Sequence, residues 1–188
     1  MLGLYQGFPS MEAFAVHHRV FDPTRPISQE EQLRRINWLY LIERAKEAQR
    51  NANSYRNFHV GCAIRAFKTN AYEVNGRWGL FTGSNIKIAD GARPICAEQL
   101  ALGAARSEGY DRIIAMVVVG EPQEDAESGL QSQTLHPCGE CRKIFQVVPE
   151  VSSDTLLLTL TPDEQTHEQF SIEELIALHQ DAQQRHHP

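Results

Sequence analysis

Apolar residues recur at helical spacing over Leu33, Ile36, Trp38, Leu39, Leu41, Ile42 and Ala45, and Ser28-Gln29-Glu30-Glu31 ahead of them has the form of a capping box. A first long helix ending near Arg50 is expected. The period then changes: Phe58 to Phe67 is rich in apolar and β-prone residues, Asn75-Gly76 is a turn signal, and Trp78 to Ile88 resumes strand character. This pair predicts a hairpin with a connection longer than minimal. Leu100, Ala101, Ala104 and Ala105 place a second helix over Cys96 to Ser107, with Gly109 as its stop. Ile113 to Val119 is continuously apolar, as a strand buried on both faces would be. Glu121 to Gln133 is acidic and polar and reads as a surface loop. Cys138 to Val148 suits a short helix ended by Pro149, Thr155 to Leu160 a strand, and Ser171 to Gln184 a closing helix. The order helix, hairpin, helix, strand, helix, strand, helix predicts an α/β fold, a three-layer α/β/α sandwich with one mixed β-sheet.

The length of 188 residues suits one domain with extensions: 1–27 as an N-terminal extension packing on the domain or a partner subunit, 28–180 as the domain, and 181–188 as a solvated tail. Acidic residues outnumber basic ones, 24 to 18, and no long basic block is present, so duplex nucleic acid is not an expected partner. Apolar runs fall far short of the roughly 20 residues that span a bilayer, and the first 20 residues lack a signal-peptide core. No membrane association and a cytoplasmic location are therefore expected. Four cysteines are too few for a disulfide scaffold, which turns attention to metal or redox chemistry.

Three of those cysteines stand at predicted helix starts: Cys96 in Cys96-Ala97-Glu98, and Cys138 with Cys141 in Pro137-Cys138-Gly139-Glu140-Cys141. Free backbone N–H groups and the positive end of the helix dipole stabilise thiolate there, and thiolate is the form that binds zinc. Cys138 and Cys141 alone fit a redox pair or half of a structural zinc site equally well. With Cys96 added they form a protein triad that leaves one tetrahedral position for water, as in catalytic zinc sites. Glu98 lies on the same turn as Cys96, where its carboxylate can exchange protons with that water without joining the metal. Three thiolates weaken zinc as a Lewis acid, so groups beside the sulfurs must withdraw charge, and Arg142 is the candidate.

In these motifs the chain resembles the zinc-dependent cytidine deaminases, in which H/C-x-E is followed by P-C-x-x-C. Cys-Ala-Glu at 96–98 and Pro-Cys-Gly-Glu-Cys-Arg at 137–142 look like the small homotetrameric nucleoside deaminases that use three cysteines. Tyr55-Arg56-Asn57-Phe58-His59-Val60-Gly61 is similar to the family's segment before the first strand, and Thr82-Gly83-Ser84-Asn85-Ile86 to the end of its second. The resemblance implies a cytidine deaminase-like fold, zinc held by Cys96, Cys138 and Cys141, Phe58 stacking on the pyrimidine, Asn85 bonding the ribose and the backbone beside Ala97 contacting the amino group. It implies hydrolysis, in which water attacks C4 of the cytosine ring, Glu98 carries the proton to N3 and then to the leaving amine, and ammonia departs from a uracil product. The partner it implies is a small cytosine nucleoside, with a role in pyrimidine salvage and a homo-oligomer, tetrameric or dimeric.

One position departs from the family. Where nucleoside deaminases carry a glutamate that holds the ribose hydroxyls, this chain has Lys87, a donor in place of an acceptor. An ammonium pairs with a carboxylate or phosphate, so a cytosine derivative altered at or beyond its sugar, such as blasticidin S, is the alternative substrate. A zinc-stabilised subunit that binds a nucleoside without turning it over is a further reading, against which the retained Glu98 stands. Cys62 reads as a buried small residue, Glu140 and the Glu121 to Glu127 cluster as solvated, and His59 and His136 as loop residues outside the metal set.

Overall fold

A computed structural model describes residues 36–55, 57–69, 78–88 and 93–186. The expectations for residues 1–27, the Ser28 capping box and the Asn75-Gly76 turn lie outside the described residues. The first described helix, α1, spans Trp38–Arg50 and is capped by Asn37, whose Oδ1 accepts the Tyr40 N–H at 3.1 Å. Such a cap contributes about 1 kcal/mol. The helix therefore starts later than the apolar spacing suggested, with Ile36 and Asn37 outside it. It buries Trp38, Leu41, Ile42, Ala45 and Ala48, one stripe at helical spacing.

Next come a short strand β1 (Asn53–Ser54), β2 (Gly61–Phe67), β3 (Trp78–Ser84) and a short β4 (Ile86–Lys87). Helix α2 (Ala97–Ser107) is followed by β5 (Arg112–Val119), helix α3 (Gly139–Val147), β6 (Leu156–Leu160), β7 (His167–Ser171) and helix α4 (Ile172–His186). The main sheet has five strands in the order β3-β2-β5-β6-β7, antiparallel throughout except between β5 and β6, which are parallel. The expected mixed sheet between helical layers is present.

β5 lies at the centre, and its side chains feed two cores. Ala115, Val117 and Val119 pack under α1 with Leu41, Ile42 and Ala45, whereas Met116 and Val118 pack on the opposite face with Ala101 of α2, Phe145 of α3 and Leu175 of α4. Two features carried no sequence signal. β7 has polar composition, His-Glu-Gln-Phe-Ser, and sits half-buried at the sheet edge. β1 and β4 form a separate two-residue parallel ribbon pairing Asn53 with Ile86 and Ser54 with Lys87. The closing helix, expected to end near Gln184, continues to His186, since no helix breaker precedes Pro188. Its start carries a true capping box: Ser171 Oγ accepts the Glu174 N–H at 3.1 Å while Glu174 Oε2 accepts the Ser171 N–H at 2.7 Å.

Two glycines set how closely helices approach the sheet. A Cβ on Gly61 would lie 2.0 Å from the Ala45 carbonyl oxygen of α1, and one on Gly83 would lie 2.1 Å from the Ala97 carbonyl oxygen of α2. The second contact fixes the start of α2, and with it Cys96 and Glu98.

Candidate metal and active site

The site forms where two helix starts converge. Cys96 occupies the cap position of α2 and Cys138 that of α3, so both sulfurs sit at the N–H-rich starts of helices. Cys141 follows one turn into α3 and is fully buried. The sulfurs of Cys96, Cys138 and Cys141 all lie within 4.8 Å of one another, with Cys96 and Cys138 3.6 Å apart. Sulfurs at three corners of a tetrahedron around zinc, each about 2.3 Å from the ion, are separated by about 3.8 Å. The donor set therefore fits zinc in both chemistry and spacing.

The thiols interact strongly. Hydrogen bonds from Cys141 and Cys96, and then the backbone N–H groups of Cys141 and Glu140, hold Cys138 far below its ordinary value. Cys96 is pushed up to about 12, first by its hydrogen bond with Cys138, and Cys141 is raised by its contacts with Cys138 and Cys96. Glu98 is only 4% exposed, within hydrogen-bonding contact of Cys141, and burial raises its carboxyl to about 7. An acid near neutrality beside the metal position is suited to exchanging protons.

The other expected residues are placed as follows. Phe58 is half-buried against the core, just after Asn57, which adopts a left-handed φ of 53°. The Lys87 ammonium lies over the Phe58 ring, 4.2 Å from its centroid, and its charge acts on Glu98 to lower its pKa. The β1–β4 ribbon explains this meeting, since it lays the residues before Phe58 alongside Lys87. Asn85 is 1% exposed; its Oδ1 accepts the Val60 N–H at 2.7 Å and its Nδ2 donates to the Phe58 carbonyl at 2.8 Å. Its carboxamide thus clamps the loop that carries Phe58. Ala97 is fully buried at the start of α2. Cys62 is a fully buried core residue outside the group of three sulfurs.

Arg142 is buried and turned toward the loop before α3: Nη1 donates to Asp125 Oδ2 at 2.7 Å and to the Pro137 carbonyl at 2.8 Å, and Nη2 to Asp125 Oδ1 at 3.1 Å. It therefore ties down the residue preceding Cys138. Against the upward push of burial, the Arg142 and Ser128 hydrogen bonds hold the Asp125 carboxyl well below the usual range. The acidic stretch is consequently not uniformly solvated. Glu121 and Glu124 are exposed, but Asp125 is only partly exposed with its carboxylate paired to Arg142, and Ser128 is 2% exposed. His136 is likewise buried, at 7%. Neither residue had a local signal, because their partners are distant in sequence.

A sheet of this order carries at one end a cysteine at each of two helix starts and a buried carboxyl beside them, the donor set of an open zinc site. The model of the cytidine and deoxycytidylate deaminase zinc-binding region matches residues 37–149, and the chain belongs to that family. Among individual proteins, it is 29% identical over 102 residues to a probable cytidine deaminase of Dictyostelium discoideum, covering 54% of this chain and 61% of that protein. It is 31% identical over 107 residues to the blasticidin-S deaminase of Bacillus cereus, covering 57% and 69% respectively. The solved cytidine deaminase of Burkholderia pseudomallei superposes with a TM-score of 0.57 at 26% identity, covering 74% of this chain and 96% of that one.

Proposed function

We propose that the protein hydrolyses the exocyclic amine of a cytosine nucleoside, replacing the C4 amino group with oxygen from water and releasing ammonia. The observation that carries this reading is a buried carboxyl, Glu98, beside three converging sulfurs at two helix starts. Bound by Cys96, Cys138 and Cys141, zinc supplies Lewis acidity that makes water a competent nucleophile near neutral pH. Glu98 moves the proton, first to ring N3 and then to the departing amine. Phe58 offers its ring as one wall for the pyrimidine, the backbone beside Ala97 at the start of α2 contacts the amino group, and Arg142 steadies the Cys138 approach through Pro137. Asn85 fixes the loop carrying Phe58, and its two backbone bonds leave one N–H and one lone pair for a sugar hydroxyl. Among the described residues no helix is long and apolar enough to cross a membrane. A reducing, cytoplasmic setting suits free thiols, and a homo-oligomer, tetrameric or dimeric, would cover Leu39, Tyr40 and Val147, which a single chain leaves exposed.

A second reading concerns the sugar end of the substrate. Among the described residues Lys87 makes no ion pair, and its ammonium lies over the Phe58 ring with the catalytic carboxyl in range. A cytosine nucleoside carrying a carboxylate or phosphate on its sugar side would supply the missing partner, as blasticidin-S-type or nucleotide substrates do. Both readings are tested by presenting the zinc-loaded enzyme with cytidine, deoxycytidine, cytidylate and blasticidin S and following ammonia release with the ultraviolet change from cytosine to uracil. Turnover of at least one is expected, with an anionic member preferred and that preference lost in Lys87→Glu. A preference for plain cytidine that Lys87→Glu leaves unchanged would overturn the second reading alone. No deamination of any of the four would overturn the first.

A further inference from the structure

The segment 134–138 reaches Cys138 without regular structure, which begins again only at Gly139, so side-chain bonds must hold it. A buried chain of such bonds runs behind it. Glu168 of β7 accepts the Thr134 backbone N–H at 3.0 Å and lies 3.2 Å from His136 Nε2. His136 Nδ1 lies 3.1 Å from Nε2 of His179, on α4, and His179 Nδ1 lies 2.9 Å from the Ser128 hydroxyl. Ser128 is in turn bound to Asp125, the carboxylate that holds Arg142 and, through it, the Pro137 carbonyl. The cysteine ligand at the start of α3 is thus reached by two tethers that close on one loop.

We propose that His179 is a positioning residue for the metal centre, holding Cys138 in place through His136. The proton inventory sets the direction of the bonds. Glu168, as a carboxylate, accepts from His136 Nε2–H, which leaves His136 Nδ1 a lone pair. That lone pair takes the Nε2–H of His179, while the Ser128 hydroxyl, 2.9 Å from His179 Nδ1, gives its own proton to Asp125 Oδ1 at 2.8 Å. His179 is 4% exposed, so a side chain there that cannot donate to His136 leaves a buried nitrogen unpaired and frees one tether. Glu168 and His179 both lie beyond the family-matched segment, which ends at 149, so this support is supplied by the C-terminal part of the chain. The inference rests on the three-sulfur metal reading and is independent of the substrate.

The test compares His179→Leu, His179→Asn and His179→Gln by zinc affinity of the folded protein, measured in competition with a chromophoric chelator, and by the thiolate-to-metal absorption of the cobalt(II) form. Partners that orient metal ligands typically change affinity by about 10–100-fold when removed. His179→Leu is expected to weaken zinc within that range. Glutamine places an amide N–H where Nε2 stands and is expected to stay within about threefold of the parent by the same scale. Asparagine keeps a polar atom near Ser128 but falls short of His136, and is expected to behave like leucine. Should leucine prevent folding, the asparagine and glutamine variants decide. Equal affinities for these two, or parent-like affinity and cobalt spectra in all folded variants, overturn the proposal while leaving the metal reading intact. A parent protein that binds no zinc overturns both.

Discussion

Replacing Glu98 with glutamine is expected to lower turnover by about 10²–10⁴-fold, the range contributed by a positioned general acid–base group, while the zinc content of the protein stays unchanged. The substitution preserves shape and hydrogen-bonding capacity, so α2 and the three sulfurs should keep their places. What it removes is a group that can gain and lose a proton. The carboxyl it replaces is buried and shifted by that burial to about 7, so it exchanges protons where an exposed carboxylate would hold none. Rate and metal content are measured on the same preparation. Retention of more than about a tenth of the parent rate, well above the range given, would remove Glu98 from the proton path.

Gly83→Ala should be the most damaging single-methyl change near the site. The new Cβ would meet the Ala97 carbonyl oxygen at 2.1 Å and the Ala101 nitrogen at 2.7 Å, both backbone atoms that cannot rotate aside. Either β3 or α2 must shift, and overpacking of this kind costs about 1–3 kcal/mol. Because α2 begins at Cys96 and carries Glu98, the same shift is expected to weaken zinc binding and turnover. Gly103, also on α2, provides the comparison: a Cβ there meets nothing within 4 Å, so Gly103→Ala should be neutral or stabilising by about 0.5–1 kcal/mol. Urea unfolding midpoints and chelator competition on the two variants test this. A Gly83→Ala protein as stable and as tight for zinc as the parent would show that the helix approach is not set there.

The cluster of metal donors was legible because its residues report themselves locally. Cys96 and Glu98 share one helical turn, as do Cys138 and Cys141, and each pair opens a helix that the apolar spacing locates. The central strand was equally plain, since Ile113 to Val119 is apolar on both faces and the structure buries both. What the sequence concealed depends on contacts between distant residues. Asp125 meets Arg142 across 17 positions, His136 meets His179 across 43, and Ser128 meets His179 across 51, so no short window could show them. Asp125 sits among acidic neighbours that are exposed, and composition averaged it with them. β7 escaped notice because an edge strand can be half-polar and still pair through its backbone. Lys87 was legible as an odd residue, but its position over Phe58 follows from a two-residue ribbon too short to leave a pattern. Asn85 was expected to contact the sugar, and the loop clamp it forms with the Val60 N–H and Phe58 carbonyl left no signal in the sequence.

X-ray absorption at the zinc edge of the purified protein addresses the centre itself. One zinc per chain is expected, surrounded by three sulfur atoms at about 2.3 Å and one lighter neighbour. Absence of zinc, or a shell of four sulfurs with no light atom, would contradict an open catalytic centre built on Cys96, Cys138 and Cys141.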